Sequence, residues 1–385
     1  MTYKSLIITG LACTLLTISN AQSITWIATD QFYTWGTAIS PDGSVVVGYG
    51  NLMNPKPFRW TQSSGAVNFY PQSTWARAND VSANGDVIVG IGASRPFRWN
   101  NGHLQILYEG EGEATGVSAD GSTVVGWYRS SIEGEQRAFR WTSSGFQDLG
   151  TLGGQSARAY GVSSDGQVVV GEAYDADPCC PTYLAFRWDP IHGMQSLGFT
   201  RESAAYDVSS DGSVVVGTAG QPFRWNMGTV TNLTSMPGVA TAVSGNGSIV
   251  VGSYTDPDRR EVAFRWTTTC GFENLNQVYA HLLNGSRLEY ASDISADGRY
   301  IVGWGYNATT RRREAFLLDT TPPNCCTEHN GDVDSSGCVD DADLLLVLFN
   351  FGVSGSNLGR VDINCDGTVD DADLLIVLFN FGVGC

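Results

Sequence analysis

The sequence predicts an all-β fold, a seven-bladed β-propeller closed by an N-terminal strand, followed by a small α-helical C-terminal domain. Three observations carry this. A unit of Val/Ile-Ser, Asp/Asn-Gly, a β-branched run ending in Gly, and then Phe-Arg-Trp recurs along the chain. The Gly of its Asp/Asn-Gly pair falls at Gly43, Gly85, Gly121, Gly166, Gly212, Gly247 and Gly298, seven copies 35 to 51 residues apart, the range in which repeats mean stacked supersecondary units. The last copy is one strand short, and a strand without a unit precedes the first. Behind the repeats, residues 321–385 hold ten Asp and one Glu against Arg360 alone, which sets that stretch apart.

Each unit reads as four strands. Val45-Val46-Val47 and its equivalents are β-branched and suit a pleated surface. Asp-Gly or Asn-Gly is a hairpin signal, because Gly accepts positive φ without steric cost. Phe58-Arg59-Trp60 alternates as a third strand. A Ser-Gly turn follows in several units (Ser64-Gly65, Ser144-Gly145), then a fourth apolar run at 66–70 or 146–149. Val, Phe and Trp are too dense for one buried face, and sheets packed around an axis bury both. A linear β-solenoid is the alternative, but its rungs are usually shorter than about 30 residues. In the seventh unit Ala315-Phe316-Leu317-Leu318 runs into Thr321-Pro322-Pro323 with no fourth strand. Ile24-Thr25-Trp26-Ile27-Ala28 is expected to fill that place as the outer strand.

The order Ser-x-Asp-Gly, β-run-Gly and x-x-Trp resembles the WD-repeat unit without its His and Trp-Asp hallmarks. A closer resemblance is to the HAF family of bacterial extracellular repeats. It rests on Leu149-Gly150-Thr151-Leu152-Gly153-Gly154, Ala159-Tyr160-Gly161-Val162-Ser163, Asp165-Gly166 and Ala185-Phe186-Arg187-Trp188. The last unit is similar to that family's closing element in Leu275-Asn276, Leu288, Ile294-Ser295, Ile301-Val302-Gly303 and Ala315-Phe316-Leu317-Leu318. The resemblance covers roughly residues 30–320. It implies secretion and repeat structure, and no settled activity.

Net charge of −17 and a pI near 4.5 argue against nucleic-acid binding and a polybasic membrane patch. Residues 1–21 read as a secretory signal peptide, with Lys4, an apolar run at 6–16 and Ser19-Asn20-Ala21 before the cleavage point. Gly10-Leu11-Ala12-Cys13 is a weaker, lipoprotein-like alternative. No stretch approaches the roughly 20 apolar residues that span a bilayer. The expected product is secreted, extracellular or held at the cell surface. Without Cys13 eight cysteines remain, at 179, 180, 270, 325, 326, 338, 365 and 385. An even number in an exported chain favours disulfides, whose pairing the sequence leaves open. The expected division is 1–21 signal peptide, 22–320 propeller, 321–329 linker and 330–385 a small acidic C-terminal domain.

Within the ring, long links are expected between the second and third strands of units three, four, six and seven, at 128–137, 172–184, 253–262 and 305–314. These place Tyr174, Cys179, Cys180, Tyr183, Tyr254 and Tyr306 on one rim. The arginines at 59, 98, 140, 187, 224 and 265 repeat in every unit but the last, where Leu317 stands. A charge inside apolar strands must be paired or reach water, so they are expected as a structural ladder, bonded to the turn Asp or stacked on Trp. No Gly-x-Ser-x-Gly, His-Glu-x-x-His or Gly-Lys-Thr signature occurs. By this reading symmetry is broken only by loop length, so no catalytic residue or organic cofactor is assigned.

The strongest chemical signal is Asp332-x-Asp334-x-Ser336-Gly337-Cys338-Val339-Asp340-x-x-Asp343. Thirty residues on comes Asp362-x-Asn364-x-Asp366-Gly367-Thr368-Val369-Asp370-x-x-Asp373, and each is followed by a Leu/Phe-rich run. Oxygen ligands at positions 1, 3, 5 and 12 with Gly at 6 are the pattern of a calcium loop, position 7 giving its carbonyl. A helix is expected from about position 10. Over about residues 330–384 the tail resembles a type I dockerin, an EF-hand-like module of two calcium loops that each lead into one helix. By that resemblance Asp332, Asp334, Ser336, Asp343 and the Cys338 carbonyl hold one Ca2+ ion. Asp362, Asn364, Asp366, Asp373 and the Thr368 carbonyl hold the second, and Asp340 and Asp370 act through water. The resemblance also points Asp341-Ala342 and Asp371-Ala372 at a cohesin-like partner. The Leu-rich helices are expected to pack on each other, and an exposed Phe349, Phe351, Phe379 or Phe381 marks a docking patch. The functional expectation is a non-catalytic binding or scaffold protein whose propeller takes an extracellular ligand such as a glycan, with the tail as its attachment. A dockerin-bearing glycoside hydrolase or lyase with its site in the propeller funnel is the alternative.

Overall fold

The computed structural model describes residues 22–29, 33–51, 53–73, 75–131, 134–320, 331–334, 336–353, 358–363 and 368–385. The expected signal peptide, the 321–329 linker, and Cys325, Cys326, Asn364, Cys365 and Asp366 lie outside the described residues. Seven four-stranded antiparallel sheets form the blades of a propeller. In blade one the strands run outward as Thr34–Ile39, Val45–Gly50, Lys56–Thr61 and Gly65–Asn68. Ser23–Ile27 pairs with Arg312–Asp319 as the outer strand of blade seven, with Ser23 opposite Asp319 and Ile27 opposite Ala315. The N-terminal strand therefore closes the ring as the strand count requires. Apolar clusters lie between blades: Val302, Ala315 and Leu317 of blade seven pack with Ile39, Val46 and Phe58 of blade one.

The repeated Ser-x-Asp-Gly is a docking turn. Ser40 accepts the Val45 N–H at 2.9 Å and donates to Asp42 at 2.6 Å. The Ser40 N–H reaches the Val45 carbonyl at 2.9 Å, so the turn is longer than the two-residue hairpin that Asp-Gly signals. Gly85 shows why Gly is required: φ is +70° and a Cβ would meet Val45 Cγ2 at 2.4 Å. Each turn thus sits against the preceding blade.

The arginine ladder bonds that turn. Nε of Arg59, Arg98, Arg140, Arg187 and Arg224 donates to the carbonyl of Gly85, Gly121, Gly166, Gly212 and Gly247, at 2.9 to 3.4 Å. The partner is the glycine carbonyl of the next blade, not the turn Asp. The guanidiniums of Arg98 and Arg224 also lie 5.9 and 5.8 Å from the rings of Trp141 and Trp266 in that blade. Arg265 departs from this pattern. Two helical turns, Leu275–Val278 and Ala280–Leu283, were not expected from the strand pattern. Tyr279 between them is buried in the blade-seven core cluster, and Arg265, fully buried, donates to Tyr279 at 3.1 Å and Glu273 at 2.8 Å.

The long rim links are mostly strand. Val169–Asp175 and Tyr183–Asp189 pair up to Tyr174 opposite Tyr183, and Ile249–Thr255 pairs with Glu261–Thr267. Tyr174, Tyr183, Tyr254 and Tyr306 therefore stand on strands, and Tyr254 is buried in a core cluster. The alternating pattern simply continues past the Gly that seemed to end each second strand.

In the tail, Asp341–Phe349 and Asp371–Phe379 are helices that begin where the loop pattern placed them. They contact each other around Val333, Val339, Val347, Ile363, Val369 and Val377. Val339 N–H bonds Val383 carbonyl at 3.0 Å, and Val369 N–H bonds Val353 carbonyl at 2.9 Å. Each loop is thus tied to the chain leaving the other helix. A disulfide joins Cys338 to Cys385. No helix among the described residues is long and apolar enough to cross a membrane.

Candidate functional site

The inner strands line an axial channel. Its wide end is a funnel of about 610 Å³ and its narrow end a cavity of about 120 Å³. Asp80, Asp207 and Asp293 border both and so form the waist. Each carboxylate joins two blades. Asp80 accepts the N–H of Val81 and of Val117 in blade three, both at 2.7 Å. Asp207 accepts from Val208 at 2.7 Å and Val243 at 2.8 Å, and Asp293 from Ile294 at 2.7 Å and Ile39 at 2.8 Å. Three other interfaces use threonine: Thr37, Thr115 and Thr241 donate to the Ala78, Ala159 and Ala291 carbonyls of the next blade at 2.9, 2.9 and 2.7 Å. Between blades four and five Tyr160 packs on Tyr206, ring centres 5.3 Å apart.

The expectation that loop length alone breaks the symmetry is therefore corrected. The signal was available: Asp precedes Val-Ser or Ile-Ser at 80, 207 and 293, where other copies have Ala or Gly. Among closely spaced inner strands the anionic form loses hydration, and the two N–H donors only partly compensate. Burial pushes Asp80 up to about 7 and Asp207 up to about 6. Asp293 rises well above the ordinary carboxylate range, by burial and then by the fields of Asp207 and Asp80.

Above the waist the funnel presents Trp127, Tyr160, Tyr206 and Tyr290 with Asn79, Glu113, Gln136 and Arg158. Arg158 donates to Gln136 at 2.6 Å and to Glu172 at 3.1 Å, and the Tyr160 hydroxyl donates to Glu172 at 2.8 Å. Asn79 donates to Glu113 at 2.9 Å. The hydroxyls of Tyr206 and Tyr290 have no hydrogen-bond partner among the described residues. Aromatic faces beside unspent hydroxyls and carboxyl oxygens suit a polyhydroxylated neutral ligand.

The tail holds the second candidate site. Carboxylate oxygens of Asp332, Asp334 and Asp343 lie within 4.8 Å of one another. Asp343 is buried; its Oδ1 accepts the N–H of Val333 at 2.6 Å and Asp334 at 3.0 Å, and its Oδ2 that of Asp340 at 2.9 Å. Asp332 accepts from Ser336 and Gly337, both at 3.0 Å, and the Ser336 hydroxyl donates to the Cys338 carbonyl at 3.1 Å. Asp340 caps the helix through the Ala342 N–H at 2.8 Å, completing a capping box with Asp343. The second loop repeats this arrangement: Asp370 caps through Ala372 at 2.8 Å, and buried Asp373 accepts from Ile363 at 2.5 Å and Asp370 at 3.0 Å. Asp362 is buried and Thr368 follows the part of this loop outside the described residues. Asp341, Ala342, Asp371 and Ala372 are all exposed in the first helical turns. Phe349 and Phe379 are 80% and 83% exposed, with Phe351 and Phe381 also open.

No family model and no curated protein matches the chain. Among solved structures it is similar to TolB from Acinetobacter baumannii, at 14% identity and TM-score 0.35 over 77% of this chain; the match spans about half of that protein, 54%. It is similar to a putative TolB from Agrobacterium tumefaciens at 15% identity and TM-score 0.45, over 78% of this chain and 99% of the other. The RRP9 WD40 repeats match at 12% identity and TM-score 0.46, over 77% and 97%.

Proposed function

We propose that this is an exported, non-catalytic binding protein of the HAF type. Its propeller, 22–320, takes an extracellular glycan in the funnel. A dockerin-like tail, 330–385, attaches it to a cohesin-like or cell-surface partner once two Ca2+ ions are bound. The observation that carries this reading is the gathering of Asp332, Asp334 and Asp343 at the start of a capped helix. With Ser336, the Cys338 carbonyl and an Asp340 water they make an oxygen set of the number calcium takes. Asp362, Asn364, Asp366, Thr368, Asp370 and Asp373 are the equivalent set. Exposed Asp341, Ala342, Asp371 and Ala372 and the two Phe pairs form a pseudo-twofold face for the partner.

The glycan-active enzyme is the second reading, favoured by the three aspartates around the funnel waist. Against it, each of them is bonded by backbone N–H groups of two blades and so is used by the fold. Glycan-array binding by the full chain, without release of shorter sugars, supports the binding reading; sugar cleavage by the purified full chain overturns it.

A further inference from the structure

The tip of blade four carries Pro178-Cys179-Cys180-Pro181, a sequence found in no other copy of the repeat. Both cysteines are exposed free thiols, and their sulfurs lie 3.3 Å apart. A disulfide bond is about 2 Å long, so closing the pair takes roughly 1 Å of approach, by side-chain rotation together with adjustment of the peptide that joins the two residues. The tip is already held in shape. Asp177 accepts the Cys179 N–H at 2.9 Å and the Cys180 N–H at 3.3 Å. Asp175 accepts the Thr182 N–H at 3.1 Å, and the Thr182 hydroxyl donates to the Cys180 carbonyl at 3.2 Å. The flanking prolines fix their own φ and restrict Cys180 as the residue before Pro181. Below the tip Tyr174 stacks on Tyr183 at 3.8 Å. The Arg158 guanidinium lies 5.6 Å from the Tyr183 ring, and Arg158 lines the funnel.

We propose that Cys179 and Cys180 are a redox pair that a small-molecule disulfide, oxidised glutathione for example, closes into a vicinal bridge at the tip of blade four. The thiolate of one cysteine attacks the glutathione disulfide, forming a mixed disulfide and releasing one glutathione thiolate. The second cysteine, deprotonated, attacks the protein sulfur of that mixed disulfide and expels the other glutathione. Two protein thiols are oxidised, one glutathione disulfide is reduced to two thiols, and the protons pass to solvent and the leaving thiolates. Adjacent residues have Cα atoms about 3.8 Å apart across a trans peptide, below the usual span of a bridged pair, about 4.4 Å or more. Such an exposed bridge belongs to the labile, reversible class, unlike the Cys338–Cys385 bridge that spans 47 residues of the tail.

The test equilibrates the full chain with oxidised glutathione, traps free thiols with N-ethylmaleimide, and maps the digest by mass. The peptide carrying both cysteines is expected to have lost two hydrogens and to take no label, against two labels after dithiothreitol. The Cys180→Ser chain is expected to retain a stable glutathione adduct at Cys179, because the resolving thiol is gone. Two labels after oxidation, a persistent glutathione adduct on the unaltered chain, or a cross-link to any other cysteine peptide overturns the proposal.

Discussion

In the ring, Asp80, Asp207 and Asp293 stand around an axis, and each receives two backbone N–H groups from adjoining blades. In the tail, Asp332, Asp334 and Asp343 bring their oxygens within 4.8 Å of one another. At that distance and an effective dielectric of about 20, each charged pair repels by roughly 3 kcal/mol, less where Asp334 meets solvent. A hydrogen bond to a charged group returns about 1.5–3 kcal/mol, so the N–H groups on Asp332 and Asp343 offset part of that repulsion. The ring thus uses its carboxylates as internal clasps between blades. The tail gathers three carboxylates, and despite burial, backbone N–H groups of Val333, Asp334 and Asp340 hold Asp343 below the ordinary carboxylate range. The same side chain ties blades together in one region and, on the proposed reading, cradles a cation in the other.

The most severe way to break the ring is to remove its closing strand. Deleting 22–28 exposes the apolar edge that Ile27 and Trp26 cover in blade seven. The expected loss is about 5 kcal/mol or more, comparable with a whole domain's stability, seen as loss of the cooperative urea transition. Retention of that transition would show that the ring does not depend on closure.

The arginine ladder offers an internal contrast. Arg265→Ala leaves buried Glu273 without its cation and is expected to cost about 3–5 kcal/mol. Arg98→Ala removes only a partly exposed clamp on Gly121 and is expected to cost about 1 kcal/mol. Equal losses in chemical denaturation would remove the distinction drawn between blade six and the rest.

The waist aspartates set a pH dependence of their own. Their ordinary value is 3.8, and folding raises Asp80 to about 7 and Asp207 to about 6. Between these limits the folded ring binds more protons than the unfolded chain, so its stability falls as pH rises from about 4 to about 7. Asp120, Asp165 and Asp211 act oppositely: hydrogen bonds from Ser118, Ser163 and Ser209 hold them low, so their contribution is lost as pH falls below 3.8. Ring stability is therefore expected to peak near pH 4, and Asp80→Asn is expected to flatten the fall above it. A profile that rises through that window would contradict the assignment.

Much of this was legible in the sequence for physical reasons. Gly43 and its equivalents announce turns because positive φ and close blade contact admit little else, and counting strands places Ser23–Ile27 in blade seven. The partner of each arginine was not legible, since a blade-to-blade contact joins residues such as Arg59 and Gly85 through geometry rather than local pattern. The waist aspartates were written in the chain but masked by repetition, because Asp80 stands at the place of Ala38 before the same apolar-Ser-x-Asp/Asn-Gly turn, in inner strands that otherwise vary freely. The helical turns around Tyr279 were hidden because tertiary burial, not propensity, holds segments that short.

The contrast between ring and tail is tested most directly by calorimetric unfolding of the full chain in calcium and in excess EDTA. Two transitions are expected in calcium. Chelation should abolish or sharply lower the tail's transition, since on the proposed reading metal binding there supplies folding free energy, and leave the ring's midpoint unchanged. Asp343→Ala is expected to reproduce the chelated trace even with calcium present. A thermogram that chelation leaves unaltered, or one in which the ring's transition moves instead, would contradict the account.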